Sequence, residues 1–334
     1  MEIIIEVGNS HEGSLGIATS MVNMIKSVGG KIAKFQYHIA EEESSSEEPF
    51  RVRFSSQDSN RTDYWRRVTF TENEWKILAN HCREEQMEFL CTPFSVKAAK
   101  FLAEQELVQR FKIGSGDALH FPLIDYVVST NLPIIISTGL VSEEQIEILV
   151  RRLEKANYLE KTTLMHCVSE YPTRLNRVAL DQIENLRKYG CKVGFSDHSG
   201  NLSTALFASA LGIELLEFHI TPNKLFFGPD TSSSLDLPLA ELLIKTLDDF
   251  ETLRGANISK KELFESSRNT AEIFGRSIYW AESLPSGSKI QLHSLAFLKP
   301  ATSGIPAMNY EDLIGKVTTS SVHKGAQIAR EDFR

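Results

Sequence analysis

The chain predicts a (β/α)8 TIM barrel followed by a small, mostly β C-terminal domain. Three observations point there. Eight short apolar runs punctuate the first 254 residues, with amphipathic helical patterns between them. The runs are continuous rather than alternating, which suits strands of a parallel sheet covered on its outer face. The length of 334 residues holds one barrel of about 250 residues and one small module.

The predicted strands cover residues 2–7, 31–36, 87–91, 111–113, 133–137, 163–167, 192–195 and 214–218. Most of their starts lie 22 to 30 residues apart, a spacing of one βα unit each. After the first strand, Ala18, Met21, Val22 and Ile25 recur at i, i+3, i+4, i+7, the spacing of one helix face. Trp75, Leu78, Ala79 and Cys82 repeat it, as do Ile146, Leu149, Val150 and Leu153. Beyond the last strand Leu239, Leu242, Leu243 and Leu247 continue the stripe. No G-x-G-x-x-G follows the first strand, which counts against a dinucleotide-binding sheet.

One connection is long. Between Gln36 and Met87 stand about 25 residues more than a βα unit needs, among them Glu41-Glu42-Glu43-Ser44-Ser45-Ser46-Glu47-Glu48. The composition reads as a solvated, mobile acidic loop. It leaves the C-terminal end of a strand, where barrel enzymes keep their sites, so a lid is the second reading. After Arg254 the rhythm stops. Residues 1–254 are expected to form the barrel and 255–272 a linker. Residues 273–334 are expected to form a separate module of short strands and turns, with Pro285-Ser286-Gly287, Lys299-Pro300 and Ser303-Gly304-Ile305-Pro306.

Bulk chemistry narrows the function classes. A formal charge of −8 disfavours non-specific nucleic-acid or membrane-surface binding. No apolar run approaches the length that spans a bilayer, and the run from Met1 to Glu6 has no secretory-signal pattern, so a cytoplasmic protein is expected. Cys82, Cys91, Cys167 and Cys191 form no C-x-x-C pair and read as reduced, mostly buried thiols.

The C-terminal ends of the predicted strands carry the chemistry. In order they read Glu6-Val7-Gly8-Asn9-Ser10-His11-Glu12-Gly13, Lys34-Phe35-Gln36, Thr92-Pro93-Phe94-Ser95, Lys112-Ile113-Gly114-Ser115-Gly116-Asp117, Ser137-Thr138-Gly139, and His166-Cys167-Val168-Ser169-Glu170-Tyr171-Pro172-Thr173. Ser196-Asp197-His198-Ser199 and Glu217-Phe218-His219 end the last two, with Gly228-Pro229-Asp230 beyond. Singly, each polar residue reads as a cap, a turn or a structural histidine. Gathered on one rim they read as a site. Lys34 and Lys112 lie in apolar strands and are costly to bury unpaired, so a bound anion is expected between them. Thr92, Ser115, Ser137 and Ser196, with the backbone at 114–116, would add hydrogen bonds suited to a phosphate and a carboxylate. His198 and His219 end neighbouring strands and could share one exchangeable divalent cation, Mn²⁺ or Mg²⁺ in preference to tightly held zinc. Glu6, Asp117 and Asp230 are rim carboxylates that could orient hydroxyls or move protons.

Taken in order, EVGNSHEG, KFQ, TPFS, KIGSGD, STG, HCVSEYPT, SDHS, EFHIT and GPD resemble the N-acetylneuraminate (sialic acid) synthase family. The stretch with SGIP and Leu313-Ile314-Gly315-Lys316 resembles that family's antifreeze-like (SAF) domain. The resemblance implies condensation of phosphoenolpyruvate with an N-acyl mannosamine-type sugar and water, giving a nine-carbon 2-keto-3-deoxy acid and phosphate. It implies that Lys34, Thr92, Lys112, Ser115, Ser137 and Ser196 hold phosphoenolpyruvate, and that His198 and His219 bind the metal. Glu6 would guide the water, while Gln36, Tyr171 and Asp230 grip sugar hydroxyls. It further implies a domain-swapped homodimer whose cap domain reaches the sugar's N-acyl group of the other subunit. Where the family commonly has Arg before a Pro-Gly turn, this chain has Lys299 before Pro300, and lysine lacks the planar guanidinium fork. Ser10, Asp117 and Ser169 also depart from the family pattern, which points to the same chemistry on a different sugar such as a diacetamido hexose. Two rivals remain at this stage: another phosphoenolpyruvate-aldose synthase using a phosphorylated sugar, and a non-catalytic sugar-binding barrel.

Overall fold

The structure is a computed structural model that describes residues 1–51 and 57–334. Residues 52–56, inside the long connection, lie outside the described residues. The chain divides into two units, Met1–Thr252 and Leu253–Arg334.

In the first unit eight parallel strands pair in sequence order and close on themselves. They are β1 (Glu2–Gly8), β2 (Ile32–Tyr37), β3 (Glu88–Pro93), β4 (Phe111–Ile113), β5 (Ile134–Ser137), β6 (Thr162–Cys167), β7 (Lys192–Asp197) and β8 (Leu215–Thr221). β8 pairs back onto β1, with Glu6 opposite His219, so the sheet is a closed barrel. β9 (Leu235–Asp236) pairs parallel beside the C-terminal end of β8, with Leu235 opposite Ile220. β7 and β8 run two and three residues past the expected ends and carry Asp197 and His219 inside the sheet.

The helices are α1 (Leu15–Ser27), α2 (Ala40–Glu43), α3 (Arg61–Val68), α4 (Glu72–Glu84), α5 (Val96–Glu104), α6 (Phe121–Ser129), α7 (Glu143–Lys155), α8 (Gln182–Arg187), α9 (Leu202–Ala210) and α10 (Leu237–Gly255). In α1, α4 and α7 the buried face consists of the four residues the spacing picked out in each. α10 differs: it buries Ala240, Leu243, Ile244 and Leu247, while Leu242 is exposed. Ala and Ile at i+1 complete a face there that a leucine-only pattern misses. Thr71 and Ser142 start α4 and α7 through reciprocal capping boxes with Glu74 and Gln145.

The apolar outward residues of the strands, among them Ile5, Ala33, Phe35, Cys91, Ile113, Ile136 and Phe218, pack under the helices in one core. Inside the barrel, Gly194 is required by crowding: a Cβ there would lie 2.7 Å from the Leu215 carbonyl oxygen. The acidic stretch expected to be wholly solvated is partly folded. Residues 40–43 form α2, and Glu43 and Glu48 turn inward while Glu41, Glu42 and Glu47 stay exposed. The turn that follows β1 fits closely against the end of α3, since a Cβ on Gly13 would lie 2.3 Å from the Arg67 carbonyl oxygen.

The second unit contains α11 (Lys260–Ser266), α12 (Arg268–Phe274), and the antiparallel pair β10 (Ser277–Trp280) and β11 (Leu295–Leu298). It has its own small core of Ile278, Trp280, Ile290, Leu295, Ile305, Leu313, Val322 and Ile328. Among the described residues no helix is long and apolar enough to cross a membrane.

Candidate active site

Closing the barrel stacks its inward side chains in layers, because alternate residues of a strand face the same side. Ile4, Ile32, Leu90, Ile135, Met165 and Leu215 form a buried apolar layer. Two residues further along the same strands stand Glu6, Lys34, Thr92, Ser137, Cys167 and Glu217. Lys112 and Ser196 join this level from β4 and β7. The strand register sets Glu6 beside Lys34, and Ser196 beside Glu217. One step higher come Gln36, His198 and His219.

The lower polar level is a compact charge network. Lys34 Nζ lies 2.8 Å from Glu6 Oε2 and 3.5 Å from Glu217 Oε1. Lys112 Nζ lies 3.1 Å from Glu217 Oε2. Ser196 Oγ donates to Glu217 Oε1 at 3.1 Å, and Gln36 Nε2 donates to Glu6 Oε1 at 2.6 Å. Burial opposes the charge on Glu217, yet the ammoniums of Lys112 and Lys34 hold it well below the usual carboxylate range. Burial likewise opposes the charge on Lys34, and Glu217 and Glu6 outweigh it. The two lysines are therefore not left for an anion to neutralise, as the sequence suggested: carboxylates of β1 and β8 already pair them. Sequence reasoning missed Glu217. The signal was available, since it alternates with His219 on the same strand face.

Above this floor opens a cavity of about 630 Å³. Glu6, Lys34, Gln36, Thr92, Lys112, Ser115, Asp117, Ser137, Tyr171, Ser196, His198, His219 and Asp230 all line it. Thr92 Oγ1 is buried there without a hydrogen-bond partner among the described residues. Ser115 is engaged: its Oγ accepts from the Gly139 backbone N–H at 3.1 Å. Burial raises Asp117 to about 6, with His120 opposing and Glu43 adding to the shift. Burial, helped by Asp230, pushes the Tyr171 phenol well above its ordinary value. Lys299 lies in the second unit, its ammonium 4.9 Å from the centre of the Phe274 ring. His11 is stacked on Phe70 at 4.4 Å in the core and is a structural histidine.

The connection between β2 and β3 adds groups that the strand ends did not foretell. His38, Glu43, Glu48, Arg51 and Arg61 line the cavity. Arg51 stands over the Tyr171 ring at 4.0 Å and pairs with Asp230 at 2.7 Å. Asn9, from the turn after β1, donates to Gln36 Oε1 at 3.3 Å.

His198 and His219 suit a divalent cation. Their ring centres lie 5.4 Å apart. His198 Nδ1–H donates to the Val168 carbonyl at 2.8 Å, which leaves Nε2 with its lone pair on the cavity side, 3.2 Å from the Tyr171 hydroxyl. Burial, with His219 adding to it, lowers His198 to about 3, so the ring is neutral and able to ligate near pH 7. No group of three or more His, Cys, Asp or Glu poised for a metal occurs among the described residues. Two imidazoles fit an exchangeable ion that takes its remaining ligands from water and substrate.

The model of the NeuB family matches residues 21–259, and that of the SAF domain matches residues 275–334. The chain is 28% identical to an N,N'-diacetyllegionaminic acid synthase of Campylobacter jejuni, covering 98% of each sequence. It is also 28% identical to an N-acetylneuraminate-9-phosphate synthase of Drosophila melanogaster, covering 96% of this chain and 92% of the other. Among solved structures it resembles an N-acetylneuraminic acid (sialic acid) synthetase of Leptospira borgpetersenii, crystallised with citrate. The TM-score is 0.67 and the identity 26%, over 80% of this chain and 90% of that one.

Proposed function

The chain belongs to the NeuB family, and from that premise we propose that it is a nonulosonic acid synthase. It condenses phosphoenolpyruvate with an N-acyl mannosamine-type sugar and water, and releases a nine-carbon 2-keto-3-deoxy acid and phosphate. The observation that carries this reading is the buried Glu6–Lys34–Glu217–Lys112 network next to His198 and His219 at one end of a closed barrel.

Lys34 and Lys112 face the phosphate and carboxylate of phosphoenolpyruvate, with hydroxyls from Thr92, Ser115, Ser137 and Ser196. Because Glu6 and Glu217 already balance these lysines, oriented donors matter as much as net charge in holding the anion. Gln36, Tyr171 and Asp230 grip the open-chain sugar with its aldehyde carbon toward C3 of phosphoenolpyruvate. Bond formation at C3 leaves positive charge at C2, which the carboxylates of the network stabilise. Glu6, fixed by Lys34 and Gln36, takes one proton from the water that adds at C2, and that proton ends on the oxygen of the former aldehyde. As the C2–O bond to phosphate breaks, phosphate departs with its bridging oxygen and takes the proton of the new C2 hydroxyl, which becomes the ketone. His198 and His219 would hold Mn²⁺ or Mg²⁺, whose Lewis acidity would polarise the aldehyde. A cytoplasmic location and a domain-swapped homodimer, with Lys299 contributed by a second copy, belong to the same reading.

The test is phosphate release from phosphoenolpyruvate in the presence of Mn²⁺, with N-acetylmannosamine, its 6-phosphate and diacetamido hexoses as acceptors. Release with at least one acceptor, abolished by EDTA and restored by Mn²⁺, is expected. Folded protein that releases no phosphate with any acceptor and binds no phosphoenolpyruvate would end the proposal.

A further inference from the structure

Glu43 is a buried acid with one oxygen that the described residues leave unmatched. Its side chain is 9% exposed, and it lines the cavity from α2. Oε1 lies 2.7 Å from His38 Nδ1, while Oε2 is buried with no hydrogen-bond partner among the described residues. His38 is fixed on every side. Its ring is clamped between Trp65 at 3.8 Å and Phe94 at 4.3 Å, both nearly parallel to it. Its Nε2 lies 3.3 Å from Asn9 Nδ2 and 3.2 Å from Gln36 Oε1. Gln36 in turn donates to Glu6. The position of Glu43 is thus set before any ligand arrives, and a buried oxygen left unmatched favours a ligand that completes it.

The surroundings say which ligand chemistry fits. Glu48 and Asp117 share this wall, and like charge acts between them and Glu43. Among the described residues the arginines that line this wall are already engaged: Arg61 pairs with Glu48 at 3.2 Å and Arg51 with Asp230 at 2.7 Å. His120 faces Asp117 at 3.5 Å. Near neutral pH burial keeps the proton on Glu43, so the wall sets one neutral carboxyl beside the carboxylates of Glu48 and Asp117. Sugar hydroxyl and amide groups match it, whereas a phosphate dianion would be brought against those two carboxylates. We propose that Glu43, anchored by His38, contacts the acceptor sugar directly, and that the wall it forms with Glu48 and Asp117 selects an uncharged sugar over a phosphorylated one. This rests on the synthase reading and decides a question that the reading leaves open.

Two measurements test it. Steady-state phosphate release compares N-acetylmannosamine and a diacetamido hexose with N-acetylmannosamine 6-phosphate, for the wild type, Glu43→Gln and His38→Asn. The better uncharged sugar is expected to exceed the 6-phosphate at least 100-fold in kcat/KM. Glu43→Gln is expected to raise the sugar KM about 10-fold or more and to leave the phosphoenolpyruvate KM within 2-fold. A general loss of folding would move both KM values or the melting temperature. Preference for the 6-phosphate, or an unchanged sugar KM in Glu43→Gln, overturns the subsite and leaves the synthase reading standing. Saturation-transfer NMR with the same three sugars decides the subsite without turnover. Binding of an uncharged sugar that weakens in Glu43→Gln supports it, and tighter binding of the 6-phosphate, or no binding of any of the three, overturns it. Loss of phosphate release with every acceptor, with sugar binding intact, counts against the synthase reading alone.

Discussion

Glu217 decides how the floor of the cavity is charged. It is 3% exposed, and both ammoniums within reach of it are equally sealed. Burying such ions costs several kcal/mol each unless every one finds its counterpart, and removing a single partner from a buried pair costs about 3–5 kcal/mol. Glu217→Gln keeps the shape and removes the charge, so urea denaturation is expected to show a loss of about 3 kcal/mol. Asp125→Asn, which breaks the exposed pair of Asp125 with Arg152, is expected to cost less than about 1 kcal/mol. Equal losses would mean that the floor does not behave as a desolvated network. The sequence made Lys34 and Lys112 visible as charges in apolar strands, and their need for partners was read correctly. Which partner they take depends on strand register and barrel closure. Those bring β1 and β8 to them from opposite ends of the unit, 28 residues before Lys34 and 105 after Lys112.

At the scale of elements, the strand ends and the helix faces were the legible part, because both follow from local periodicity. The connection between β2 and β3 was not. Its run of glutamates has the composition of a solvated segment; what turns Glu48 inward is the Trp65 Nε1–H and Arg61, and what turns Glu43 inward is His38, itself clamped between Trp65 and Phe94. That packing has a consequence for stability. Burial first, and then Glu48, raises Glu43 from about 4.5 to about 8, with Arg61 opposing. His38, its direct neighbour, is lowered by burial to about 3 and stays neutral. A raised carboxyl pKa means that the folded chain keeps a proton the unfolded chain has lost. Stability from this group is present below pH 4.5 and declines as pH rises toward 8, by at most about 1.4 kcal/mol per pH unit. Urea midpoints of the wild type are therefore expected to fall more steeply between pH 5 and pH 8 than those of Glu43→Gln. Parallel curves would place Glu43 outside the buried wall in solution.

Each unit carries a core of its own, the second much the smaller, and the smaller unit begins with a segment that buries almost nothing. Every residue from Leu253 to Phe274 is exposed within the single chain, including Leu263, Phe264, Ile273 and Phe274 on α11 and α12. Short helices with this much apolar surface in water are poorly stabilised alone, and exposed apolar patches of this kind mark association surfaces. A domain-swapped pair of chains would cover them, and it would also give Lys299 a second chain to act on. Isologous packing of two copies is the simplest way to satisfy such a surface. Light scattering after size exclusion is expected to give the mass of two chains for the wild type. Phe264→Ser with Phe274→Ser is expected to shift the species toward one chain and to raise the sugar KM, while phosphoenolpyruvate binding in the barrel persists. A wild type with the mass of a single chain would remove the homodimer from the functional reading, and the cavity would then have to recognise the N-acyl group with barrel residues alone.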